Sequence, residues 1–281
     1  MNVEYWINVN GTLVADSEAV VAAHDRSYRY GDGLFETMRF SGESIRLANL
    51  HFERLFRGLQ ALHFNSPAEW TANYFQSQIR ELCAANRFHE ARIRLSISRG
   101  SGNFNDPLQS FVPRFIIEAT PLSPAPHPAE TGLVCVLYTA MRKMTGPYAG
   151  HKTANALPYV MARIAAERLG AAEAIVLNEY NRVCEATTAN LFWIKDNLLH
   201  TIPLAEGPVA GVMRQVIIQQ APAWGYAVQE ANLSVQELLS ADEVFLTNAI
   251  SGIRSVNQVE QVFYKNAITA ELQEKLRQSL S

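Results

Sequence analysis

The chain has 281 residues, 48% of them hydrophobic, and a formal net charge of -3 at pH 7. That length can bury one large core or two moderate ones, and the charge leaves no electrostatic footprint for nucleic acid. No apolar run approaches the ~20 residues that span a bilayer, and Met1-Asn2-Val3-Glu4-Tyr5 lacks the basic start and apolar middle of a secretory leader.

Tyr5 to Val9 reads as a strand, Asn10-Gly11 as a tight turn, and Thr12 to Val14 as the return strand. The glycines of Asp25-Arg-Ser-Tyr-Arg-Tyr-Gly-Asp-Gly33 predict a turn, and the alternating run to Phe40 a strand, with Ile45 to Leu47 its short partner. Phe52, Leu55, Phe56, Leu59 and Leu62 recur at helical spacing over 50–64. A second helix is expected from about Glu69 to Asn86, capped by Ser66 with Pro67 at its first position. From Ala91 to Ser98, Ile93, Leu95 and Ile97 alternate with Arg92, Arg94 and Ser96, a half-buried strand. Arg99 to Pro107 is a loop and Arg114 to Ala119 another strand. Four prolines within 121–128 mark a linker.

Beyond it, strands are predicted at 132–138, 174–178, 190–194, 199–201 and 243–247, with a hairpin turn at Asn181. Helices are predicted at 155–169, 211–224, 234–239 and from Thr269 onward. The expected architecture is α/β: a small α+β domain over 1–120, a linker over 121–128, and a larger mixed α/β domain over 129–281. Cys83, Cys135 and Cys184 are far apart and odd in number. They form neither a disulfide framework nor a zinc signature, so a reducing, cytoplasmic setting and no metal are expected.

Lys152 is one of five lysines, set between a glycine-rich turn (Gly146, Pro147, Gly150) and a helical run. A desolvated amine there suits nucleophilic attack on an aldehyde. Thirty-three residues on, Cys184-Glu185-Ala-Thr-Thr-Ala-Asn-Leu-Phe192 leads a carboxylate and small hydroxyl residues into an apolar strand. Lys152 followed by Glu185-x-x-x-x-Asn190-Leu-Phe resembles the fold-type IV pyridoxal-phosphate enzymes, or class IV aminotransferases. Among these are branched-chain and D-amino-acid aminotransferases and aminodeoxychorismate lyase.

Pyridoxal 5'-phosphate needs an amine for its aldehyde, an acid partner for its pyridine nitrogen and donors for its phosphate. The resemblance implies that Lys152 forms the Schiff base and that Glu185 meets the ring nitrogen. It also assigns the phosphate to Arg54 of His51-Phe-Glu-Arg-Leu55, to the Val212 and Met213 amides after Gly211, and to the neighbourhood of Asn248 and Ala249. Thr188, in the small-residue run that would admit the ring, is counted with the cofactor contacts. A guanidinium is the best partner for a substrate carboxylate, and Arg29, Arg92, Arg94 and Arg99 could each serve; the resemblance implies that Tyr30, Phe35, Thr37 and Arg94 face the substrate. A homodimer binding a small-molecule amino acid and keto acid is implied as well.

Leu157 stands where branched-chain enzymes carry a tyrosine five places after the lysine, so Asn155 or a residue elsewhere must partner the ring hydroxyl. The Arg-x-His clamp of the D-amino-acid enzymes is absent from 99–107, and Lys152-Thr-Ala-Asn155 and Ser98-Arg-Gly-Ser-Gly102 look more like aminodeoxychorismate lyases. The expected activity is amino transfer between an amino acid and a 2-keto acid. The alternatives are pyruvate elimination from aminodeoxychorismate and, more remotely, a non-catalytic protein that binds the cofactor.

Overall fold

A computed structural model of the protein describes residues 5–105, 111–122 and 132–280. The first four residues, the end of the 99–107 loop and positions 123–128 of the proline-rich segment lie outside the described residues. The chain forms two compact units, Met1–Pro124 with His151–Ala156, and Ala125–Gly150 with Leu157–Ser281.

The first unit opens on a hairpin of β1 (Trp6–Val9) and β2 (Thr12–Ala15). Its turn uses left-handed Asn10 (φ 51°) and Gly11 (φ 90°), and the Asn8 side chain accepts the Gly11 N–H at 2.9 Å. Where the sequence predicts only a turn, a short helix α1 (Arg26–Tyr30) forms. The Asp25 carboxylate accepts the Ser27 and Tyr28 N–H groups, and Gly31 in the left-handed region ends the helix. There follow β3 (Gly33–Ser41), β4 (Ser44–Ile45), α2 (Ala48–Ala61), α3 (Ala72–Ala85), β5 (Glu90–Ser98) and β6 (Arg114–Pro121). The strands make an antiparallel sheet in the order β2-β1-β6-β5-β3-β4.

Alternation along β3 and β5 sends Leu34, Met38, Ile93, Leu95 and Ile97 into one core with Phe52, Leu55 and Leu59 of α2 and Phe75, Ile79 and Leu82 of α3. Helix α3 begins later than expected. Its cap is Thr71, which accepts the Tyr74 N–H at 3.1 Å, whereas the chain after Ser66 turns through a Trp70 N–H bond to the Pro67 carbonyl. Trp70 is buried edge-on against Phe75 and Phe115, and that burial fixes the turn ahead of the helix.

The second unit contains β7 (Leu133–Lys143), α4 (Leu157–Arg168), β8 (Glu173–Asn178), β9 (Val183–Ala186), β10 (Asn190–Lys195) and β11 (Leu198–Thr201). It continues with α5 (Val212–Gln220), β12 (Val228–Glu230), α6 (Val235–Leu239), β13 (Glu243–Asn248), β14 (Gly252–Val259), β15 (Val262–Phe263) and α7 (Ala267–Ser279). The sheet order is β12-β11-β10-β13-β14-β7-β8-β9, with β15 paired to β14; β7 lies parallel to both β8 and β14.

Asn181 (φ 57°) turns β8 into β9. Every residue of β8 and β9 is buried, which explains the continuous apolar run Ala174–Leu177 in β8. Helix α4 starts at Leu157 rather than Asn155 because Pro158 has no N–H to donate to the Ala154 carbonyl. Pro222 likewise ends the α-helical part of 211–224, and Ala221–Trp224 closes as a 3-10 turn.

Candidate active site

Lys152 belongs to the first unit. Its carbonyl accepts the Phe35 N–H at 2.9 Å, the Ala154 N–H donates to the Gly33 carbonyl at 2.8 Å, and Thr153 bridges to Leu34. The segment is thus bonded backbone-to-backbone onto β3, not placed at the mouth of α4. Lys152 Nζ lies 4.4 Å from the centroid of the Phe35 ring, and Arg94 Cζ lies 3.9 Å from the same centroid. Phe35, Arg94 and Lys152 therefore meet on one ring. Thr37 pairs across the strands with Arg94, on the face of β3 away from the core. Burial pushes the Arg94 guanidinium down, the more so with Arg92 nearby, and Glu118 opposes this. Tyr30 packs edge-on to Phe104, with the Arg26 and Arg29 guanidiniums over its ring.

Arg54 is buried on α2 and pairs with Glu36 of β3. Nε donates to Oε1 at 2.8 Å and Nη2 to Oε2 at 2.5 Å, while His51 Nδ1 lies 2.7 Å from Oε2. Burial alone would raise the Glu36 carboxyl, but the Arg54 charge and the bonds from His51 and Arg54 outweigh it and hold it at about 2. A carboxylate can only accept, so His51 Nδ1 carries its proton toward Glu36, and its buried Nε2 has no partner among the described residues.

In the second unit, Glu185 on β9 is 3% exposed. Lys143 Nζ is 2.5 Å from its Oε1, the Tyr159 hydroxyl donates to Oε1 at 2.6 Å, and the Val209 N–H spans both oxygens at 3.2 and 3.1 Å. Asn190 anchors the same turn by donating to the Val209 carbonyl at 2.8 Å. Burial, then the charge and bond of Glu185, push the Tyr159 hydroxyl well above 10, so it stays a donor. Thr188 donates its hydroxyl to Glu173, and its carbonyl accepts from Asn248 at 3.3 Å. Asn248 Oδ1 accepts the Ile250 and Ser251 N–H groups, which shapes the turn that holds Ala249. Next to it, the buried Thr247 hydroxyl has no partner among the described residues.

These residues fit the cofactor's demands. Gly211 precedes α5 with no side-chain cap, so the Val212 and Met213 amides sit at a bare helix start that suits an anion. A Cβ on Gly211 would fall 1.8 Å from Asn190 Oδ1, so any other residue there must displace the Asn190 side chain. Glu185 is a buried acceptor held in place by the protein, as a ring-nitrogen partner must be. In the second unit, the orphaned Thr247 hydroxyl is a polar atom that a bound polar group would satisfy. Sequence reasoning missed Glu36, Lys143, Tyr159 and Thr247. For Glu36 the available signal was a carboxylate at an inward position of an alternating strand; for Lys143, a lysine at the end of an apolar one.

Among the described residues no helix is long and apolar enough to cross a membrane, and no cluster of His, Cys, Asp or Glu could hold a metal ion.

The sequence profile of the family Amino-transferase class IV matches residues 33–259. Aminodeoxychorismate lyase of Vibrio harveyi is 31% identical over 91% of this chain and 91% of that protein. D-alanine aminotransferase of Bacillus licheniformis is 25% identical, over 89% of this chain and 87% of its own length. The crystal structure of 4-amino-4-deoxychorismate lyase from Pseudomonas aeruginosa superposes with a TM-score of 0.85 at 30% identity, covering 98% of this chain and 99% of that one. The chain is an enzyme of the class IV aminotransferase family, a family that works with pyridoxal phosphate, and it has the fold of that family.

Proposed function

We propose that this protein is an aminotransferase that moves an amino group between an amino acid and a 2-keto acid, with Lys152 as the catalytic amine. The observation that carries this reading is the Phe35 ring, which takes the Lys152 ammonium at 4.4 Å and the Arg94 guanidinium at 3.9 Å. An amino acid needs both, an amine to exchange protons at its α-carbon and a guanidinium for its carboxylate. Pyridoxal phosphate, when bound, supplies the electron sink that acidifies the α-C–H bond. Lys152 Nζ takes that proton and returns it, Glu185 holds the proton at the ring nitrogen, and Arg54 with the Val212 and Met213 amides binds the phosphate. Thr188, Asn248 and Ala249 shape the phosphate side of the site; Tyr30, Phe35 and Thr37 line the substrate side. The segment 121–128 joins the small and large domains.

A second reading, pyruvate elimination from aminodeoxychorismate, draws on the 31% and 30% identities to lyases. Proton abstraction by Lys152 serves both outcomes. Incubating the purified protein with aminodeoxychorismate, and separately with amino-acid and keto-acid pairs, separates them. Amino transfer without 4-aminobenzoate supports the first reading; 4-aminobenzoate without transfer replaces it with the second.

We also propose a cytoplasmic homodimer. Three unpaired buried thiols suit a reducing compartment. Leu157, Val160, Met161 and Ile164 leave an exposed apolar stripe on α4 that a second copy would cover. Sedimentation of the purified protein tests this: a monomer at micromolar concentration overturns it.

A further inference from the structure

Glu185 does not wait alone for a ligand. Lys143 at the end of β7 and Tyr159 on α4 converge on the same carboxylate oxygen, Oε1, at 2.5 and 2.6 Å. The Lys143 side chain is 12% exposed, and its Nζ lies 5.4 Å from the Tyr159 ring centroid. The Val209 N–H adds a third donor to Oε1 at 3.2 Å. A carboxylate oxygen offers about two lone-pair sites, so Oε1 is filled by the protein. Oε2 takes only the Val209 N–H at 3.1 Å and a long contact from Asn190 at 3.4 Å.

We propose that Lys143 is a positioning residue for the cofactor's ring nitrogen. It occupies Oε1 and turns Oε2 toward the ring, and its charge offsets that of Glu185. The inference rests on the reading above in which Glu185 meets that nitrogen. A lone buried carboxylate would bias the nitrogen strongly toward its protonated form. With Lys143 bound, the Glu185–Lys143 pair is neutral before the cofactor arrives, so the bias is tempered. The other ionisable groups near Glu185 do not supply this charge. Tyr159 stays neutral, the Cys184 thiol is pushed up by burial, Glu185 and Glu206, and Glu206 is paired with Arg182. Lys143 reaches Glu185 because β7 and β9 flank β8: Lys143 pairs with Asn178, and Val176 with Glu185.

The test uses holoenzyme reconstituted with pyridoxal phosphate carrying 15N in the ring. The ring-nitrogen resonance is followed against pH, with the cofactor dissociation constant measured alongside. In Lys143→Met, the midpoint of ring-nitrogen titration should rise by about one unit or more, the shift a removed neighbouring charge produces. Lys143→Arg should restore the wild-type midpoint, and Tyr159→Phe should raise it by less. A wild-type midpoint in Lys143→Met, with Glu185→Gln displacing it, overturns the role of Lys143 and leaves that of Glu185 standing. An unmoved midpoint in Glu185→Gln overturns the Glu185 reading and this inference together. Should Lys143→Met lose its fold, Lys143→Gln keeps a donor without the charge, and a wild-type midpoint there is equally fatal.

Discussion

Glu36 on β3 and Arg54 on α2 form a buried bidentate ion pair across 18 residues of sequence, with His51 on the same carboxylate. Removing one half of such a pair costs about 3–5 kcal/mol, so Glu36→Ala should lower stability by that order in urea unfolding. A surface-like loss below ~1 kcal/mol would contradict the burial.

The same pair sets an acid limit. The Glu36 carboxyl lies at about 2 in the folded protein against an ordinary 4.5. A lowered folded value stabilises above the unfolded one and is lost as pH falls through the folded one. The pair should thus contribute on the order of 3 kcal/mol at neutral pH, and the stability gap between wild type and Glu36→Gln should narrow from about pH 5 toward pH 2. A gap that stays constant across that range speaks against the assignment.

Lys152→Ala should abolish covalent cofactor attachment. Borohydride treatment followed by intact-protein mass measurement checks this, and a persisting adduct refutes the role of Lys152. Because 152–154 is bonded to β3 through backbone atoms, the substitution should leave the melting temperature within a few degrees of wild type.

Arg94→Met should raise KM for an amino-acid substrate by about ten- to a hundredfold, the value of a charge-assisted hydrogen bond, with kcat changed less. Equal KM values would move the carboxylate to another cation.

Gly211→Ala should weaken the start of α5. The new Cβ falls 1.8 Å from Asn190 Oδ1, so Asn190 must give way and loosen its bond to the Val209 carbonyl. A cost of about 1–3 kcal/mol is expected, together with a raised cofactor dissociation constant measured by fluorescence quenching. Wild-type values of both would show that the turn yields without consequence.

The chemistry was legible in the chain where it is local. Lys152 beside glycines and Glu185 ahead of small hydroxyl residues could be picked out because each motif is short and its residue types suit the cofactor. Periodicity located α2 and β5 for the same reason, since neighbours along the chain decide which face is apolar. The cap at Thr71 was not legible, because Ser66 offers the same hydroxyl and only burial of Trp70 chooses between them.

By itself, then, the sequence determined the family and most of the elements, and it singled out Lys152 and Glu185 as the candidate amine and carboxylate. What tertiary structure alone decided is which charges meet: Glu36 with Arg54, Lys143 with Glu185, and Lys152 with Arg94 on one phenylalanine ring. Each of these pairings depends on strand order or on the docking of a helix against a sheet. Such contacts join residues far apart in the chain, and no local propensity encodes them.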